Sequence, residues 1–246
     1  MSVLNAARGG VNRVLRPFGV QMVRGYSDDP AIAPFLSARK VVGAARRAGI
    51  SVEDYIDRYS AVPGATADAV DALLALADLG EHVQRVCEIG AGTGRYASRV
   101  IAATHPATYE VYETAADWLP HLRALPNVAV QPADGHTLSA TATESVDLVH
   151  SHKLFVYVPL VVTIGYLDEM ARVARPGGVV AFDVVNENCL DDAMTKNWVA
   201  GRATIYGMIS RSWLLDRLDR RGLSLLGSHF VPLSGGRAEL LVFRKA

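Results

Sequence analysis

The sequence predicts an α/β fold: a mostly parallel sheet with helices on both faces, entered through a helical N-terminal region and closed by a hairpin. Three observations predict it. Apolar, strand-like runs recur at 85–89, 108–113, 128–131, 146–150 and 179–185; helix-compatible segments separate the first four, and another, 165–173, precedes the fifth. That alternation belongs to parallel strands, which need a crossover between neighbours and so bury both sheet faces. A glycine-rich turn, Gly90-Ala91-Gly92-Thr93-Gly94, follows the first run. The last runs are different: 223–232 and 239–244 flank Ser234-Gly235-Gly236 and read as a hairpin at the sheet edge.

Upstream of residue 80 the pattern is helical. Val70, Leu73, Leu74 and Ala77 fall at i, i+3, i+4 and i+7, which is one face of a helix. Pro63-Gly64 breaks the chain before that helix and Thr66 is placed to cap it, while 31–48 and 52–59 are further helical segments. The organisation expected is a helical extension over 1–80, serving as cap or dimer arm, followed by a cofactor-binding domain over 81–246. A 246-residue chain with half its residues hydrophobic can bury a full core on that plan.

Composition removes several function classes. Lys+Arg and Asp+Glu both number 25, so no charge excess points to nucleic acid. Two cysteines, Cys87 and Cys189, make neither a disulfide framework nor a zinc site, which suits a reducing, cytoplasmic setting. No apolar run approaches the ~18–20 residues of a membrane span, and residues 1–24 carry arginines without the apolar block of a secretory signal.

The glycine turn has two readings. A dinucleotide fold wants its third glycine at position 95, where it lets the helix pack closely on the strand; position 95 is arginine and the glycine comes one place early, at 94. The neighbouring acids separate the readings. Glu88, two residues before Gly90, would repel a pyrophosphate but suits the ammonium of an amino-acid-bearing cofactor. Glu113 ends the next strand, where a carboxylate can accept from both hydroxyls of a ribose. Asp134 follows the third strand, where it can accept from an adenine amino group. Three acids at three successive strand ends would surround one cationic adenosine-containing ligand, S-adenosylmethionine.

On these residues the chain resembles the class I S-adenosylmethionine-dependent methyltransferases over roughly 80–246. The resemblance is carried by Glu88-Ile89-Gly90-Ala91-Gly92-Thr93-Gly94, by Glu113, by Ala133-Asp134-Gly135, by the segment 147–159 (DLVHSHKLFVYVP), and by a helix with a Pro176-Gly177-Gly178 turn before the fifth strand. It implies a Rossmann-like seven-stranded sheet whose last strand runs antiparallel, with the methionine end of the cofactor over the glycine loop and the ribose on Glu113. The implied cofactor-binding set is Glu88, Gly90, Ala91, Gly92, Gly94, Glu113, Ala133, Asp134, Gly135 and His150.

The same resemblance places the segment after the fourth strand beside the methyl-bearing sulfur, and here that segment is His150-Ser151-His152-Lys153. Methyl transfer is an in-line displacement, and holding both reactants in line supplies ~7–11 kcal/mol. A hydroxyl nucleophile must also lose a proton, and histidine titrates near neutrality. His152, past the strand end, is the expected general base; His150 is the cofactor wall or a second base; Lys153 and Tyr157 rank below them. Some related enzymes hold a divalent cation on acids near the ends of the fourth and fifth strands. Asp183 and Asn186 stand near the fifth, but histidines replace the acid after the fourth, so no required metal is expected.

For the acceptor, 188–209 with Trp198 and Tyr206 suits a lid, and Tyr55 and Tyr59 could fold over the cofactor. Residues 13–24 mix apolar side chains with arginines; a dimer arm or packing on the core is favoured there over a membrane-surface contact. The N-terminal stretch together with 152–159 is also similar to bacterial methyltransferases of glycan and glycolipid synthesis. The expectation is therefore O-methylation of a saccharide or glycolipid hydroxyl, with small phenolic acceptors next. The rivals are a nicotinamide-dependent oxidoreductase and a non-catalytic protein of the same fold.

Overall fold

The computed structural model describes residues 37–59, 62–80, 82–200, 207–233 and 235–246. The basic segment 1–24, the beginning of the 31–48 helical expectation, Tyr206 and Ser234 lie outside the described residues. Residues 36–246 form one compact unit.

Three helices lead in: α1 (Ala38–Ala48), α2 (Val52–Tyr59) and α3 (Ala65–Ala77). Helix α1 buries Ala38, Val41 and Ala45 and stops at Gly49, whose left-handed φ of 68° lets its N–H reach back to the Ala45 and Arg46 carbonyls. Helix α3 begins one residue earlier than the capping residue expected for it. Gly64 is its N-cap, and Thr66 sits buried in the first turn, bonding the Asp57 carboxylate of α2 instead of a backbone N–H. Leu73, Val70 and Ala77 are fully buried, as the 3.6-residue period requires.

The sheet follows in β/α alternation: β1 (Arg85–Ile89), α4 (Arg95–Thr104), β2 (Thr108–Tyr112), α5 (Leu119–Leu122), β3 (Val128–Gln131), β4 (Val146–Ser151), α6 (Leu160–Val173) and β5 (Ala174–Val184). After β5 come α7 (Asp192–Ala200), α8 (Arg211–Asp219), β6 (Leu223–Leu233) and β7 (Gly236–Lys245). Strand order is β3-β2-β1-β4-β5-β7-β6. The first five strands pair in parallel, and β7 is antiparallel to both β5 and β6. This is the Rossmann-like seven-stranded sheet with an antiparallel last strand. The terminal hairpin differs from a simple edge closure. Its second strand inserts beside β5 and its first becomes the edge, because β7 is buried from Ala238 to Phe243 whereas β6 is buried only at Leu223, Val231 and Leu233 and is exposed or half-buried between them.

The two sheet faces carry separate cores. Val86, Tyr109, Val111, Leu148, Val179 and Ala181 point to one face and pack with α1–α4; Cys87, Ile89, Val149, Val180 and Phe182 point to the other and pack with α6 and α8. The period of two along each strand fixes which residues share a side. Glu88 and His150 are register partners across β1 and β4, so both belong to the α4 face. Among the described residues no helix is long and apolar enough to cross a membrane.

Candidate active site

The glycine turn leaves β1 and enters α4 through three left-handed residues, Gly90, Gly92 and Gly94, with φ of 71°, 51° and 77°. Two of them show different needs. A Cβ on Gly94 would lie 3.1 Å from Leu125 and 3.2 Å from Leu122, so this glycine lets the helix start close to its neighbours. A Cβ on Gly92 would meet nothing nearer than the Gly90 carbonyl at 3.9 Å, so the space over Gly92 is open. Ala91 is buried beneath the turn. Glu113, just past β2, holds the turn in place: its Oε2 accepts from Gly92 N–H at 2.6 Å and its Oε1 from Ala115 N–H at 2.7 Å. Each carboxylate oxygen retains a second lone pair, which is what a ribose hydroxyl would use.

Glu88 is 1% exposed and makes no ion pair among the described residues. Its Oε2 lies 2.7 Å from the Tyr109 hydroxyl, and that same hydroxyl lies 2.7 Å from His150 Nε2. Burial pushes the Glu88 carboxyl up to about 8, with the Glu113 charge adding to it and the Tyr109 hydrogen bond and Arg95 opposing it. A buried carboxyl of this kind is the complement of an ammonium group. Arrival of a cation would offset the desolvation that keeps it neutral.

The two histidines point inward. His150 is fully buried, and burial, together with His152, drives it well below the ordinary imidazole value. His152 is 4% exposed and stacks on Tyr96 of α4, ring centroids 4.3 Å apart and planes 14° from parallel. Burial first, then Lys153 and Arg95, lower it to about 3. His150 Nδ1 and both ring nitrogens of His152 are buried without a hydrogen-bond partner. His152 lies one residue past the end of β4, as expected, and its ring is buried against Tyr96 of α4. Arg95 lies over the other contact of this wall, 4.8 Å from the Tyr96 ring centroid, and pairs with Asp57 at 3.3 Å.

Asp134 occupies the loop after β3 and is 42% exposed on its side chain. Its Oδ1 accepts from His136 N–H and Thr137 N–H, and its Oδ2 from the Thr137 hydroxyl; these bonds, the hydroxyl's first, lower it to about 2. Asp134 thus stands ionised at the surface, with Ala133 half-buried before it and Gly135 at φ 87° after it. Asp134 and Glu113 both add to the burial that raises the Tyr166 hydroxyl to about 12, so the two acids border the same region.

Asp183 and Asn186, weighed above as metal ligands, are committed elsewhere. Asp183 is buried; its Oδ1 accepts Lys153 N–H at 2.7 Å and its Oδ2 pairs with Lys153 Nζ at 3.2 Å. Asn186 donates to Glu239 at 2.6 Å and accepts from Asn188 N–H. Among the described residues no cluster of three or more His, Cys, Asp or Glu is placed to hold a metal ion. Sequence reasoning missed Tyr109, Tyr96 and Arg95. Tyr109 reads as one more apolar strand residue; only the β1–β2 register, with Glu88 opposite Val111, sets it beside Glu88.

A small pocket of mixed polarity opens beyond the ends of β4 and β5, lined by Phe155, Val158, Leu160, Thr163, Val184, Gly207, Met208 and Ile209. The segment 207–209 is fastened there by Gly207 N–H to the Val156 carbonyl at 2.8 Å and Ile209 N–H to the Val185 carbonyl at 3.0 Å.

A parallel sheet with this strand order, a glycine turn after β1 and acids at the following strand ends define an α/β cofactor-binding enzyme. Comparison with known proteins gives the family. The sequence model of the methyltransferase domain matches residues 60–227, and the chain belongs to that family. Its cofactor is S-adenosylmethionine, and the chain is a methyltransferase. A malonyl-[acyl-carrier protein] O-methyltransferase of Methylococcus capsulatus is 26% identical over 222 residues, 88% of this chain and 78% of that protein. Among solved structures, magnesium protoporphyrin IX methyltransferase from Synechocystis, with bound S-adenosylhomocysteine, superposes with a TM-score of 0.57 at 13% identity, covering 97% of this chain and 95% of that one. The N-methyltransferase NodS of Bradyrhizobium japonicum, also with S-adenosylhomocysteine, gives 0.54 at 16% identity, covering 73% and 86%. At these identities the structural likenesses speak for the fold.

Proposed function

We propose that the protein transfers the methyl group of S-adenosylmethionine to an oxygen of an acceptor that carries an apolar portion, a glycolipid within the saccharide class. Glu88 receives the cofactor's ammonium, Gly90–Gly94 give its methionine end room, Glu113 takes the ribose hydroxyls and Asp134 faces the adenine. The bound cofactor supplies an electrophilic methyl group. The observation that supports the acceptor reading is the small pocket at the outlet of β4 and β5, where the side chains of Phe155, Val158, Leu160 and Met208 stand beside Thr163. In open α/β sheets ligands bind outside the carboxyl ends of the strands, and a lining that sets apolar side chains beside a hydroxyl suits an acceptor with both an apolar and a polar part.

A second reading is favoured by the state of His152. A hydroxyl nucleophile needs a base, and in the first reading His152 supplies it by turning from Tyr96. A carboxylate acceptor is already ionised at neutral pH and asks nothing of a histidine held near 3. The O-methyltransferase relative named for malonyl-[acyl-carrier protein] fits that class, because a malonyl thioester offers a free carboxylate.

The test uses S-adenosylmethionine with a labelled methyl group and three acceptors: a glycolipid with free hydroxyls, malonyl-pantetheine and a simple phenol. The expected result is label in the glycolipid, falling roughly 10²- to 10⁴-fold in His152→Ala, as for loss of a positioned base. Label in malonyl-pantetheine with His152→Ala unchanged would establish the carboxylate reading instead. Cofactor binding without transfer to any of the three would overturn both readings and place the acceptor outside these classes.

A further inference from the structure

We propose that Tyr109 is a positioning residue that couples the cofactor's arrival at Glu88 to the tautomer of His150. The inference rests on Glu88 as the receiver of the cofactor's ammonium. Its geometric basis is a single hydroxyl with two partners at equal distance, Glu88 Oε2 and His150 Nε2, each at 2.7 Å, all three residues being buried.

One hydroxyl hydrogen cannot serve both partners, so the chain has two satisfied arrangements. With Glu88 protonated, the acid donates to Tyr109 Oη, Tyr109 donates to His150 Nε2, and the imidazole proton sits on Nδ1. With Glu88 ionised, Tyr109 donates to Glu88, and His150 Nε2–H donates to Tyr109. Passing between them moves three protons in one direction. The Glu88 proton goes to Tyr109 Oη, the Tyr109 proton goes to His150 Nε2, and the Nδ1 proton leaves. One proton is released and every heavy atom keeps its valence. The departing proton leaves from a nitrogen that has no hydrogen-bond partner among the described residues and belongs to a ring whose centroid is 5.3 Å from that of His152.

The surroundings hold the chain in the first arrangement before the cofactor binds. Facing Glu88 are Tyr109 from β2 and Glu113 beyond it, His150 from β4, and Arg95 and Tyr96 from α4, with His152 just past β4 behind His150 and Tyr96; Glu113 opposes ionisation and Arg95 favours it. Neither histidine accepts a second proton at neutral pH, since burial lowers both. The proton therefore has no resting place inside the cluster when the ammonium arrives, and it leaves the protein. The consequence is a His150 whose Nδ1 lone pair is bared only in the cofactor-bound enzyme.

The experiment is long-range ¹H–¹⁵N NMR of the histidine rings in the full chain at pH 7, with and without S-adenosylhomocysteine, which keeps the ammonium and lacks the methyl. His150→Gln identifies the signal. The expected result is a change of His150 from the Nδ1–H to the Nε2–H tautomer on binding. Tyr109→Phe should bind S-adenosylhomocysteine with no such change. In parallel, the Kd of the wild type should rise about tenfold for each pH unit below 8, because only the ionised fraction of Glu88 is competent. In Glu88→Gln it should be flat with pH. A wild-type His150 tautomer that does not respond to S-adenosylhomocysteine overturns the coupling, even if Tyr109→Phe fails to fold. Unaltered affinity and pH dependence in Glu88→Gln would instead overturn the placement of the ammonium.

Discussion

Asp183 decides how β4 ends. Its carboxylate fastens the Lys153 backbone, which turns through a left-handed φ of 56°, and pairs with the Lys153 ammonium in a nearly closed setting. Removing one partner of a buried pair leaves the other charge unmatched, which typically costs ~3–5 kcal/mol. Asp183→Ala is expected to lose about 3 kcal/mol in urea denaturation. The double variant Asp183→Ala/Lys153→Met should recover part of that loss, since it removes the stranded cation. Equal stability of the single and double variants would show that the ion pair contributes nothing. Both residues are conspicuous in the sequence, but their pairing is not, because 30 positions separate them and only the parallel β4–β5 register closes the gap.

The glycine turn works as an element, with its glycines doing different jobs. Gly92→Asp places a residue tolerant of left-handed backbone in open space, but sets an anion in the room proposed for the cofactor's methionine end. It should abolish S-adenosylhomocysteine binding by calorimetry while holding thermal stability within about 1 kcal/mol of wild type. Gly94→Val forces a β-branched residue to φ 77° against Leu122 and Leu125. It should lower stability by at least ~2 kcal/mol as well as binding. Equal stability losses in the two variants would mean that the turn is uniformly tight. The strand–glycine–helix pattern was legible from residues 86–97 alone, since local chemistry dictates it. The end of α3 that faces the turn was less so: Thr66 has the chemistry of a cap, yet Asp57, nine residues earlier, captures its hydroxyl.

For the whole molecule, three buried titratable groups set the pH dependence of the cofactor-free state. His150 and His152 are lowered from 6.5, so the unfolded chain binds more protons below that pH and stability falls as pH drops through it. Glu88 is raised from 4.5 to about 8, so the folded chain binds the extra proton between those values and stability falls as pH rises. Between 4.5 and 6.5 two histidines outweigh one acid and stability climbs with pH; between 6.5 and 8 only Glu88 acts and stability declines. Thermal melts from pH 4.5 to 8.5 should therefore peak near 6.5, and Glu88→Gln should flatten the decline above the peak. A wild-type profile that rises steadily to pH 8 would contradict a neutral Glu88.

The sequence by itself determined the fold class, the cofactor and the order of strands and helices. Those follow from periodicity, from glycines at a strand-to-helix turn and from acids at strand ends, all of which act over a few residues. It also singled out His150 and His152 as unusual. Only the tertiary structure decided what faces them. Strand alternation and inter-strand register turn His150 onto the α4 face and set Tyr109 between Glu88 and His150, and the bend after β4 lays His152 against Tyr96. The insertion of β7 beside β5 was decided in the same way, by which strand could bury both of its faces. Contacts of this kind join residues tens of positions apart, and no local pattern carries them, because side-chain environment in a parallel sheet depends on which strand lies alongside.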